Sequence, residues 1–180
     1  MSRVSYSEDE DYPGQFGIWN ANVMRSVGGL KGQAVMREME AALLALPDKR
    51  LVAHAVACDG DVCAVGAFLA LKKARAEQLS MAEAIDALEA ECGGADDQAY
   101  DETDQRGIEA GMPRLVAWKL VALNDIEIDE WKYVHGVQGP LTRERAEYGY
   151  RDYRGMTIQV PVTAEERYTR VLAWVREQIA

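Results

Sequence analysis

The chain has 180 residues, enough for one domain, or one domain with an appendage, and for a core that needs neither disulfide nor metal. Hydrophobic residues make up 48%, which excludes an intrinsically disordered chain. Lys and Arg number 20 against 30 Asp and Glu, a formal net charge of −10, so nucleic-acid phosphates and anionic membrane surfaces repel the chain as a whole.

Residues 1–14 read as an acidic N-terminal arm. Glu8, Asp9, Glu10 and Asp11 stand where a secretory leader would carry an apolar run, and Pro13-Gly14 closes the segment. With an odd number of cysteines, three, this points to a reduced, cytoplasmic protein. The longest apolar run is about ten residues, too short to cross a bilayer, so no membrane association is expected.

Residues 15–180 read as a single globular domain. Phe16, Trp19, Val23 and Val27 recur at helical spacing, and Gly28-Gly29 ends that helix. A second helix covers 31–46, with Val35, Met36, Met39, Leu43 and Leu46 facing inward and Pro47-Asp48 stopping it. The short glycine link makes the two helices neighbours.

The stretch 51–73, LVAHAVACDGDVCAVGAFLALKK, is the most apolar of the chain. Residues 51–57 suit a short buried strand, with His54 a core histidine. Cys58-Asp59-Gly60-Asp61 supplies a turn, because Gly60 tolerates positive φ and the flanking aspartates can bond their own backbone. Residues 62–73 fit either a second strand or a helix. Their Ala, Leu, Lys and Arg content favours a helix capped by Asp61 and running on towards Gln78.

Ser80-Met81-Ala82-Glu83 matches a capping box, and Met81, Ile85, Leu88 and Cys92 stripe the helix it opens. Residues 95–104 are acidic and read as a solvated loop. A further helix follows Gly111, with Pro113 in its first turn and Asn124-Asp125 closing it. Residues 132–137 have aromatic and β-branched character, and 156–162 alternate, with Met156, Ile158, Val160 and Val162 on one face. Thr163-Ala164-Glu165-Glu166 opens the last helix, striped by Tyr168, Val171, Leu172, Val175 and Ile179. The expected fold is therefore an α-rich α+β domain. About six helices surround one core, with a minor sheet from 51–57, 132–137 and 156–162.

The sequence holds no catalytic or metal signature, and no cofactor is expected. Cys58 and Cys63 are spaced C-x4-C without a second ligand pair, so structural thiols explain them better than zinc. Either cysteine can be paired on paper with His54 or His135 as a nucleophile and base, which keeps open a small Cys/His-dependent hydrolase or transferase. The feature richest in recognition chemistry is a Tyr/Arg insertion at 138–155. It carries Arg143, Arg145, Tyr148, Tyr150, Arg151, Tyr153 and Arg154. Tyrosine and arginine are enriched at binding hot spots and also stack on single-stranded nucleic acid. Contact with a protein partner is the leading functional reading, and a nucleic-acid binder is the alternative.

The stretch SEDEDYPGQFGIWNANVMRSVGGLKGQAVMREMEAALLALPDKRL resembles the N-terminal part of small proteins encoded in phage and prophage genomes, and DGDVCAVGAFLAL and TAEERYTRVLAWVREQ resemble their middle and end. The resemblance implies a context and no residue roles: a phage accessory protein in the cytoplasm of a bacterial host. Joined to the composition, it leads to the expectation of a non-enzymatic protein-binding module that engages a host protein or protein complex, such as a defence complex.

Overall fold

In the computed structural model, residues 13–92, 103–126, 128–135 and 155–180 are described, with the side chains of 17–92, 103–126 and 161–180. The fold is α-rich α+β. Among the described residues it has helices α1 (Pro13–Gly28), α2 (Leu30–Ala45), α3 (Ala64–Glu77), α4 (Met81–Cys92), α5 (Thr103–Glu109), α6 (Arg114–Asn124) and α7 (Ala164–Gln178). The strands are β1 (Ala57–Cys58), β2 (Asp61–Val62), β3 (Ile128–His135) and β4 (Gly155–Pro161). No helix among the described residues is long and apolar enough to cross a membrane.

The chain divides into two compact units, Met1–Asp125 with Ala164–Ala180, and Ile126–Thr163. In the first, the apolar stripes of the helices meet in one cluster. Trp19, Val23 and Val27 of α1 join Val35, Met36, Met39 and Leu43 of α2, Phe68 of α3, Ile85 and Leu88 of α4, Val116 and Leu120 of α6, and Val171 and Val175 of α7. Each large side chain fully buried here stabilises the unit by about 1.5–3 kcal/mol. A single residue, Gly29, joins α1 to α2, and the two helices approach closely: a Cβ at Gly32 would lie 2.1 Å from the Ser26 carbonyl oxygen. The capping box of α4 is formed as its sequence predicts. Glu83 accepts from the Ser80 N–H at 2.8 Å, and Ser80 Oγ accepts from the Glu83 N–H at 3.3 Å. The Ser80 hydroxyl, which donates to Glu83 Oε2 at 2.7 Å, and after it the Ser80 N–H hold the Glu83 carboxyl below the usual carboxylate range.

Three expectations change. Residues 51–56 are not a strand. His54 has φ 58°, which breaks an extended run, and only Ala57 and Cys58 pair, with Val62 and Asp61. Asp59 and Gly60 between them have φ 53° and 77°, the mirror-image turn for which Asp-Gly is suited. Asp61 therefore belongs to the hairpin and pairs with Arg50, while Cys63 caps α3. The acidic stretch that read as loop gives way at Thr103 to α5, a short helix absent from the sequence reading. It closes on Gly107, where a Cβ would lie 3.0 Å from Val65 Cγ1 and 3.2 Å from Met112 Sδ.

In the second unit, β3 and β4 form an antiparallel pair running from Ile128↔Pro161 to His135↔Gly155, with an irregularity between Ile128 and Glu130. It contains two of the three strands expected from sequence, and residues 51–57 take no part in it.

Candidate functional site

Two places in the helical unit collect groups with recognition or reactive chemistry. The first is the crossover from residue 51 to the start of α3. Its backbone groups are satisfied mostly by side chains from other helices. Leu51 N–H donates to the Ala164 carbonyl at 3.1 Å, and the buried Arg167 guanidinium donates to the Leu51 carbonyl at 2.9 Å. Asn124, 1% exposed at the end of α6, does three things at once. Its Oδ1 accepts from Ala64 N–H at 3.0 Å, and its Nδ2 donates to the Val52 carbonyl at 2.7 Å and to Asp125 Oδ1 at 2.8 Å. Asp125 Oδ1 also accepts from His54 N–H at 3.1 Å.

Here the structure corrects the sequence reading of His54. It is exposed, its imidazole Nδ1 4.0 Å from Asp125 Oδ2, and is not a core histidine. A left-handed backbone points it out of the apolar run that seemed to bury it. Cys63 is buried, and its Sγ accepts from Gly66 N–H at 3.2 Å at the start of α3. A helix N-terminus ordinarily favours a thiolate, but burial dominates and pushes this thiol up to about 12. Cys58 is half-buried, and its thiol is also raised, by desolvation first and then by the neighbouring Asp59 and Glu89 carboxylates. Both shifts run against the thiolate that a Cys/His nucleophile requires. Glu89, which faces the Asp59-Gly60 turn, accepts from both turn N–H groups at 2.9 Å. Among the described residues, no group of three or more His, Cys, Asp or Glu side chains is placed to hold a metal ion.

The second place is the outer face of the α1–α2 hairpin. On α1, Gly17, Ile18, Ala21, Met24, Arg25 and Gly28 lie on the side opposite the buried stripe and are exposed. On α2, Leu30, Ala34, Arg37, Ala41 and Leu44 follow one another at alternating steps of four and three, again opposite the core. Large apolar side chains stand in water here: Leu30 is 95% exposed, Ile18 61%, Met24 51% and Leu44 47%.

Charge separates this face from the rest of the chain. Residues 13–37 contain Arg25, Lys31 and Arg37 and not one Asp or Glu. The first acids of α2 are turned to its flanks. Glu38 lies 3.7 Å from Arg75 and 4.0 Å from Lys72 of α3, and Glu40 accepts from Arg176 of α7 at 2.7 Å. Arg25 donates to Asn22 one turn back on its own helix, and Arg37 donates to the Ala180 carbonyl. Sequence reasoning counted the apolar stripes that face inward and passed over this face. The signal was present: a run without acids in a chain where acids make up 30 of 180 residues.

The site residues read from sequence, Arg143, Arg145, Tyr148, Tyr150, Arg151, Tyr153 and Arg154, lie outside the described residues, as do most of the acidic positions of 1–14 and 95–104. Asp104 is described, and its carboxylate accepts from Trp118 Nε1 on α6.

No protein-family model, no curated protein and no solved structure matches the chain.

Proposed function

We propose that this chain is a non-enzymatic protein-binding module, a phage accessory protein that engages a host protein or complex, with a defence complex as one instance. The observation that supports it is the exposed apolar face of α1 and α2, on which Leu30 stands furthest into water. Exposed large apolar groups rimmed by polar ones mark interaction surfaces, and a leucine left almost wholly in water serves no folding role. The Tyr/Arg stretch 143–154 adds a second candidate surface by composition. The phage setting rests on the sequence resemblance alone.

The experiment places a photo-crosslinking amino acid at position 30 of the full chain, exposes it to bacterial lysate, and identifies the products by mass spectrometry. A control carries the probe at Glu109, an exposed site on α5. The expected result is one dominant product from position 30, absent from the control, whose purified form binds the chain directly. Equal labelling from both positions overturns the reading.

A further inference from the structure

We infer that the outer face of α1 and α2 receives an acidic amphipathic helix of a partner protein, with Leu30, its most exposed residue, as an apolar anchor. The inference rests on the protein-binding reading above and adds the chemistry of what is bound. Three observations carry it. Leu30, Ala34, Arg37, Ala41 and Leu44 repeat at steps of four and three, the seam that one helix offers to another. The residues beside the large ones are small: Gly17, Ala21 and Gly28 on α1, Ala34 and Ala41 on α2. Small side chains beside large ones on an exposed helix face let a partner helix approach closely and seat its own large residues between them. Lastly, residues 13–37 carry Arg25, Lys31 and Arg37 and no acid, with Arg25 and Arg37 on this face and Lys31 beside it, while Glu38 and Glu40 are held in ion pairs on the flanks. An apolar face whose segment carries cations and no acids, on a chain of net charge −10, selects an acidic partner by local attraction, since the overall charge disfavours one.

Two other occupants fit less well. A second copy applied through the same face would set Arg25, Lys31 and Arg37 against their own equivalents, a like-charge contact. The chain's own Glu8, Asp9, Glu10 and Asp11 lie two to five residues before Pro13. Folded back in extended form they reach at most about 18 Å, and that only for Glu8. Arg25 lies about 18 Å along α1, at the limit for Glu8 and out of reach of Asp9, Glu10 and Asp11.

The probe is a fluorescent synthetic peptide of about three heptads, with Leu along one face and Glu on the flanks. Its twin replaces every Glu with Lys. Binding to the full chain is followed by anisotropy. The acidic peptide should bind, and more weakly as salt rises. The Lys twin should bind at least about tenfold more weakly, and Leu30→Asp or the pair Arg25→Glu with Lys31→Glu should each cost the acidic peptide about tenfold or more, in variants whose melting temperature is unchanged. Absence of binding, equal binding of the twin, or indifference to these substitutions overturns the inference. So does a dimer in sedimentation that Leu30→Asp dissolves, which would make a second copy the occupant. The position-30 crosslink separates this failure from that of the wider reading. A partner product that persists under saturating acidic peptide sinks only the acidic-helix chemistry, whereas loss of any specific product sinks the protein-binding function as well.

Discussion

The apolar side chains of 51–63 and those on the outer face of α1 and α2 differ in where they end: Leu51, Ala55, Val56, Ala57, Val62 and Cys63 are buried, while Ile18, Met24, Leu30 and Leu44 stand in water. The difference lies in the backbone more than in the side chains. The crossover lacks regular structure over most of its length, so its burial calls on partners outside it: Asn124, Asp125, Arg167 and Ala164 satisfy N–H and C=O groups that its own bonds, such as Val52 N–H to the Val62 carbonyl, leave open. The outer face of α1–α2 belongs to helices whose backbone is already satisfied internally, and its exposure costs only the unburied apolar area. Hydrophobic content therefore did not decide burial in this molecule. The supply of polar partners decided what could go inside, and the packing of the neighbouring helices decided which apolar face was left out.

The most damaging test of that contrast is Asn124→Leu. It leaves the Ala64 N–H and the Val52 carbonyl without their partners in a nearly dry setting. At about 1–3 kcal/mol for each unsatisfied group, denaturant unfolding should show a loss of about 4 kcal/mol. Asn124→Asp keeps an acceptor for Ala64 but sets an oxygen against the Val52 carbonyl and Asp125, and should also destabilise. A loss under about 1 kcal/mol for both would show that the crossover does not depend on this side chain.

Gly66→Ala should follow closely. A Cβ there would lie 2.0 Å from the Val56 carbonyl oxygen, so the start of α3 and the crossover would have to separate. Overpacking of this kind costs about 3 kcal/mol or more when the neighbour is backbone. Thermal melting of Gly66→Ala beside Gly17→Ala, where the new methyl meets nothing within 4 Å, checks it.

Alkaline pH should produce a smaller and graded loss. The folded Cys63 thiol is raised from 9.0 to about 12, so the unfolded thiol ionises first. The contribution is fully present below pH 9 and declines towards pH 12, at about 1.4 kcal/mol for each unit within that window. At pH 10.5 the deficit should be about 2 kcal/mol. Tyr168, raised by burial, adds in the same direction. Cys63→Ser keeps an oxygen cap for Gly66 and should flatten the profile. An unchanged slope in that variant would remove Cys63 as its source.

The smallest expected effect on stability is that of Leu30→Asp. The residue is almost fully exposed, so its melting curve should stay within about 0.5 kcal/mol of the parent, while binding at the α1–α2 face falls. A cooperative loss of stability would make Leu30 a folding residue and close the contrast drawn above.

Much of the helical scaffold was legible because it depends on local rules. The stripes of α1, α2 and α7, the Ser80–Glu83 capping box and the Asp59-Gly60 turn each follow from spacing within one segment. The errors cluster at residues 51–63. There the cap moved from Asp61 to Cys63, the strand shrank to a two-residue hairpin, and His54 turned outward. The cap and the hairpin are local, Cys63 bonding Gly66 three residues on and Ala57 pairing with Val62, whereas His54 bonds Asp125 71 residues away. The candidate binding face was half legible. The absence of acids between 13 and 37 can be read from the sequence, but not which apolar residues would be left exposed.

By itself the sequence determined the α-rich class, most of the helix starts and stops, and the apolar stripes, since these arise from interactions within a few residues. Only the tertiary structure decided that Asn124, at first sight a helix terminator, would anchor the central crossover, that Cys63 would be an inert cap, and that Leu30 would stand in water. The physical reason is the same in each case. Burial and hydrogen-bond satisfaction depend on which distant groups the packed helices bring into reach, and no local pattern encodes that.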